Sequence, residues 1–218
     1  MIHDFRFSHA LIIFLLASLW VIIAIGVIKY FGWHTTFEPE LMIHSGIIFV
    51  CVGCTAVIFK PSTIRHLFST LGFRKAKWRY YFVAMVIAVF FWVADFWLQT
   101  YYFLDDGKKD GIALQSSIKQ FGAISMVLAI CFLAPIAEEI LFRGIILKGL
   151  VDKLSPLWAI LLSSILFAAI HFSANDTLTL FIVAVGYSML TLKARSIWPA
   201  ILAHVINNSV TLYYLATV

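Results

Sequence analysis

Long apolar runs separated by short polar connections set the pattern of this chain. The runs cover residues 10–27, 42–59, 80–98, 118–150, 156–172, 177–192 and 199–215. About 20 apolar residues span the hydrocarbon core of a bilayer as a helix. The strands of a membrane barrel would alternate with period two, and no such alternation occurs here. The pattern predicts an all-α polytopic membrane protein, with about seven transmembrane helices in one bundle. The first run is too long and ends too bulky for a signal-peptide core, so it is expected to be retained. The fourth exceeds one perpendicular crossing. It is expected to kink at Pro135, to tilt, or to lay its last turns along the inner interface, where Lys148 and Lys153 can snorkel.

Charge adds orientation. The chain has 218 residues, 62% hydrophobic and 12% charged, with a net charge of +5 and a mean hydropathy of +0.97. That charged fraction is about half that of a soluble domain. The basic residues fall in short connections and not along one soluble face, so no nucleic-acid partner is expected. Lys60, Arg65, Arg74, Lys75, Lys77 and Arg79 make 60–79 the densest basic segment. By the positive-inside rule it is cytoplasmic, which puts the N-terminus inside. The expected location is a bacterial plasma membrane, with the lipid bilayer as a partner. The connections at 31–41 and 104–115 then face outward, the second as an exposed polar turn. Cys51-Val52-Gly53-Cys54 lies within a run and reads as buried packing; three cysteines make no disulfide framework.

Candidate chemistry sits in Ala134-Pro135-Ile136-Ala137-Glu138-Glu139-Ile140-Leu141-Phe142-Arg143-Gly144. Ionisable residues at membrane depth are expensive and therefore point to function. On a helix Glu139 and Arg143 stand at i and i+4, acid first, the favourable order for an ion pair. Glu138 is turned about 100° away and lacks that partner. Glu139 and Arg143 thus read as supporting residues and Glu138 as the reactive carboxylate. Asp95 reads as a bundle polar contact or as a residue reaching the interface, with catalysis a minor reading. His171 and His204 come from later runs, and His204 and Asn208 share a helical face.

Hydrolysis needs a base to activate water and donors for the oxyanion. Glu138 can supply the base, His171 can hold the water, and His204 and Asn208 can donate to the oxyanion. Zinc bound by Glu138, His171 and His204 is a second version of the same site, since two histidines and a glutamate form an accepted catalytic set. A Ser188–His204 dyad, a non-catalytic polar network and an ion or proton transporter are further readings.

Glu138-Glu139-x-x-x-Arg143, Phe167-x-x-x-His171 and His204-x-x-x-Asn208, in this order, resemble the motifs of the CAAX protease and bacteriocin-processing (Abi, type II CAAX prenyl endopeptidase) family of intramembrane proteases. The resemblance covers 118–215, which is expected to form the catalytic core. Residues 1–117 are expected to form a three-span N-terminal part carrying the basic 60–79 loop. The resemblance implies an intramembrane endopeptidase acting on membrane-associated or C-terminally modified peptides or proteins. It carries the catalytic roles onto Glu138, His171, His204 and Asn208, and favours a glutamate-based version with no cofactor over a zinc-dependent one. Some relatives resemble immunity or regulatory partners instead. One difficulty is depth: at ~1.5 Å per residue, His171 is expected roughly 24 Å above Ser155 and Glu138 roughly 15 Å above Lys148.

Overall fold

A computed structural model describes residues 6–32, 39–101, 108–171 and 176–217. The expectations for Glu38, for the Asp105-Asp106-Gly107 turn, for Tyr102 and Phe103 and for Phe172 lie outside the described residues. All regular structure among the described residues is helical. Helix α1 is Phe7–Phe31, α2 Pro39–Phe59, α3 Ile64–Leu71, α4 Trp78–Tyr101 and α5 Lys108–Phe121. Helix α6 is the continuous run Ala123–Val151, followed by α7 Pro156–Ala169, α8 Thr177–Ala194 and α9 Trp198–Leu215.

Among the described residues, five helices (α1, α4, α6, α8 and, from Met42 onward, α2) are long and apolar enough to cross a membrane. The protein is an integral membrane helical bundle. Helix α7 is apolar but has 14 residues, and α9 interrupts its apolar run with His204, Asn207 and Asn208. Of the about seven transmembrane helices expected, five among the described residues have the length and apolarity for a crossing, and α7 and α9 differ in character.

Helix α1 is apolar all round, as expected of a helix meeting lipid on one side and protein on the other. Its buried residues Ala10, Ile13, Ala17, Ala24 and Ile28 form one stripe, while Leu15, Leu19 and Ile22 are exposed. Small residues in such a stripe let backbones approach, which is how helices gain packing where lipid supplies no hydrophobic drive. Ala10, Ile13 and Ala17 share one core with Ile47 and Cys51 of α2 and with Ala137, Ile140 and Phe142 of α6. Cys51 and Cys54 carry free thiols, in line with the packing reading. A second small-residue contact joins Ala84 and Ala88 of α4 to Ala200 and Ala203 of α9.

Helix α6 is central. Its ladder shifts from α to π geometry over Val127–Leu133, returns to α over Ala134–Glu139 and shifts again over Ile140–Ile146. Pro135 cannot donate to the ladder, and it stands just after the first π segment. The break expected at Pro135 is taken up as a change of hydrogen-bond register, and the helix runs on. All seven residues of the second π segment are buried, Arg143 included.

Two polar connections prove to be structured. Residues 108–121, expected in part as an open turn, form α5, which ends at Gly122 with φ of 86°. Within the basic segment, α3 is capped by Thr63, whose side chain accepts from the His66 amide, and it turns Leu67, Thr70 and Leu71 inward. The chain leaves it at Gly72, whose φ of 101° suits glycine. Ile197 N–H donates to the Gly72 carbonyl at 3.0 Å and Lys148 Nζ to the Thr70 carbonyl at 2.7 Å, which dock this segment on the bundle.

Candidate active site

The site grows from the α-helical turn between the two π segments, whose last residues are Glu138 and Glu139. Glu139 is fully buried, and its Oε1 accepts from Arg143 Nη1 at 2.9 Å. Arg143, 1% exposed, also donates through Nη2 to the Ala184 carbonyl of α8 at 3.2 Å. Its guanidinium lies over the rings of Phe167 and Tyr187, 4.6 and 5.6 Å from their centroids. A buried charge is tolerable only when paired and hydrogen-bonded, and the planar guanidinium suits both roles. The ion pair read from the i and i+4 spacing is therefore the geometry observed.

Glu138 points elsewhere, into a ring of imidazoles. Its Oε2 lies 3.9 Å from His171 Nε2 and 3.8 Å from His204 Nε2, and its Oε1 lies 3.6 Å from His44 Nε2. These separations exceed a direct hydrogen bond. Oε2 is buried and has no hydrogen-bond partner among the described residues.

Two of the rings have a defined orientation. His171 Nδ1 meets the Phe167 carbonyl at 2.8 Å, and His204 Nδ1 meets Glu139 Oε1 at 3.1 Å. Both oxygens can only accept, so each Nδ1 carries the proton and each Nε2 turns toward Glu138. Arg143, Glu139 and His204 thus form one chain of contacts. The supporting carboxylate sets the ring that faces the other carboxylate.

The depth difficulty disappears once both arms are measured from the turn joining them. Helix α6 continues to Val151 and α7 starts at Pro156. Counted from there, Glu138 is roughly 20 Å and His171 roughly 22 Å along its own arm. Taking Lys148 as the inner surface shortened one arm only.

Asn208 is beside this group. Its amide nitrogen donates to the Ile130 carbonyl in the first π segment at 2.9 Å, leaving its second hydrogen for other use. With His171 and His204 it lines a cavity of about 530 Å³ between α4, α8 and α9, which Asp95, Gln99 and Asp176 also line. Gln99 Nε2 donates to Asp176 at 2.7 Å, and lies 3.4 Å from Oδ1 of Asp95, one turn earlier on α4; Asp95 thus lines the cavity beside a contact that Gln99 makes between segments. Ser188 Oγ is buried without a hydrogen-bond partner among the described residues, so it makes no dyad with His204.

His44 was missed in the sequence. It belongs to α2, in the half that carries no motif, yet it approaches Glu138 more closely than either motif histidine. The signal that could have found it was a lone imidazole between apolar residues at membrane depth, the criterion that singled out Glu138.

The fit of a metal can be tested on the donor set. Zinc takes imidazole nitrogen at about 2.0–2.1 Å in tetrahedral geometry. Among the described residues, no group of three or more His, Cys, Asp or Glu is arranged to hold a metal ion. The imidazoles surround the carboxylate without forming a ligand set with it, and no step below runs through a metal.

Residues 120–210 match the family model described as Rce1-like, type II CAAX prenyl endopeptidase Rce1-like. A curated relative, "Putative membrane peptidase YdiL" of Bacillus subtilis (strain 168), is 31% identical over 84 residues, which are 38% of this chain and 34% of the relative. The chain thus spans about a third of the length of the curated relative it matches. No solved structure matches it.

Proposed function

We propose that the chain is an intramembrane endopeptidase in which Glu138 activates water against a peptide bond. The observation carrying this reading is the carboxylate at membrane depth with three imidazole Nε2 atoms within 4 Å of its oxygens. The family match over residues 120–210 supports the reaction class. The name of the Bacillus subtilis relative, a membrane peptidase, points the same way.

In this mechanism a water between Glu138 and His171 loses a proton to the Glu138 carboxylate as its oxygen attacks the carbonyl carbon. His171 Nε2, with its proton on Nδ1, accepts the water's other hydrogen bond. The tetrahedral oxyanion takes hydrogen bonds from the free amide hydrogen of Asn208 and from His204 Nε2, the ring entering the cycle as an imidazolium whose second proton comes from solvent and stays on it throughout. Glu138 then returns its proton to the departing nitrogen, the C–N bond breaks, and an acid and an amine leave. His44 Nε2, 3.6 Å from Glu138 Oε1, closes to a hydrogen bond in this mechanism and so turns Oε2 to the water. The 530 Å³ cavity gives a substrate segment room beside the two motif histidines.

The substrate class proposed is a membrane-associated or C-terminally modified peptide, and the version proposed needs no cofactor. Its test is the purified protein in proteoliposomes with fluorogenic peptides, half of them prenylated near the C-terminus. Glu138→Gln keeps shape and hydrogen-bonding capacity, so it should remain folded and lose cleavage by at least about 10²-fold. Turnover within a few-fold of the parent in folded Glu138→Gln ends this assignment. Chelators should leave the rate unchanged; loss with chelator and recovery with zinc would establish the zinc-dependent version instead.

A further inference from the structure

A second cavity, of about 580 Å³, lies at the end of the bundle that carries the basic segment and has no role in the chemistry above. Its walls come from the connection between α3 and α4, from α6, and from the end of α8 with its connection to α9. Arg74, Lys75, Lys77, Lys193, Arg195 and the buried Arg143 are among its lining residues. In all, eight of the chain's sixteen lysines and arginines line it; Arg143 is already paired with Glu139, and no carboxylate is among the lining residues to offset the other seven.

Topology signalling alone does not require this arrangement, because basic residues that only orient a chain can lie apart in any cytoplasmic loop. Here the backbone holds them round one space. Ser196 Oγ donates to the Arg74 carbonyl at 2.6 Å, and the contacts of Gly72 with Ile197 and of Thr70 with Lys148 fix the opposite wall. Gathering like charges is unfavourable unless an anion is shared among them. A further feature points to such a ligand. Thr191, only 5% exposed, is among the lining residues, and its buried hydroxyl has no hydrogen-bond partner among the described residues. A hydroxyl donor beside several cations is a recurring way to hold phosphate oxygens.

We propose that this cavity binds a phosphate group, carried either by an anionic phospholipid of the adjoining leaflet or by a soluble phosphate. Basic pockets between membrane helices on the cytoplasmic side hold lipid headgroups elsewhere. The lipid source fits a cavity placed where the helices leave the bilayer.

The test is the thermal unfolding of the whole protein in detergent, with phosphatidylglycerol, with phosphatidylcholine, or with inorganic phosphate and no added lipid. Phosphatidylglycerol at about ten times its Kd should raise the Tm by about 3–5 °C over phosphatidylcholine. Lys75→Gln with Lys193→Gln should lose most of that rise, and Thr191→Val alone should lose part of it. Lys109→Gln with Lys119→Gln, outside this cavity, should keep it. A rise with phosphatidylglycerol only assigns the lipid; an equal rise with inorganic phosphate assigns a soluble ligand. No rise with either, or a rise undiminished in all cavity variants, overturns the proposal. Phospholipid phosphorus retained per protein after purification gives a second reading, expected to fall in the cavity variants and to hold in the control. Neither measurement uses turnover, so the result is independent of the protease reading.

Discussion

At the residue scale, the two adjacent glutamates have different surroundings, and the proposed function gives support to Glu139 and chemistry to Glu138. Glu139 is held by Arg143 and His204, and losing one member leaves a buried charge unpaired. Removing one partner of a buried pair costs about 3–5 kcal/mol, whereas replacing both with apolar residues is often close to neutral. Arg143→Met should therefore destabilise strongly, and Glu139→Leu with Arg143→Met should recover much of the loss in a denaturation experiment. Activity should not recover with it, because the double variant still lacks the oxygen that holds His204 Nδ1. If stability and turnover return together, Glu139 does not position His204. His44 separates from the motif histidines in the same way. As a positioning residue, His44→Ala should lower kcat by about 10–100-fold with KM little changed, read in the peptide assay. A larger loss, near the 10²–10⁴-fold of an acid–base group, would make it a proton carrier.

At the scale of elements, the shift of α6 between α and π registers is what a linear reading could not supply. The i and i+4 spacing of Glu139 and Arg143 was legible because their bond stays within one turn, and so was the separate direction of Glu138. The convergence of His171 and His204 could be inferred from motif order, while helix lengths alone left it open. It depends on where α6 ends and α7 begins, which no charge boundary marks. His44 and the docking of α3 were hidden for another reason. Both are contacts between distant segments, and neither leaves a periodic trace. Gly144 records one of them, since a Cβ there would meet the Leu71 carbonyl at 2.5 Å. Gly144→Ala must push α3 away and should cost about 1–3 kcal/mol. Gly53, in the interior of α2, has nothing within 4 Å of the same atom. Gly53→Ala should be neutral or stabilising by up to about 1 kcal/mol. Equal effects in thermal unfolding would mean that α3 does not rest on α6.

At the scale of the molecule, the basic connections gather at one end. Lys75 and Lys77 precede α4, Lys193 and Arg195 follow the body of α8, and Ser196 joins these two segments through the Arg74 carbonyl. Helix α4 has 24 residues, about 36 Å of rise, enough to carry its far end across a bilayer. Lys109, in the helix after it, should therefore stand on the other side. By the positive-inside rule the Lys75 and Lys193 end should face the cytoplasm, and the crossing by α4 should then put Lys109 outside. Single cysteines replace Lys75, Lys193 or Lys109, all exposed, in a background where the free Cys51, Cys54 and Cys131 are changed to alanine. An impermeant maleimide added to intact cells should label Lys109→Cys, and should reach Lys75→Cys and Lys193→Cys only after permeabilisation. Labelling of Lys75→Cys from outside would invert the protein and move its phosphate cavity to the outer leaflet. Labelling of Lys75→Cys and Lys193→Cys from opposite sides would be incompatible with the Ser196–Arg74 contact and with the cavity itself.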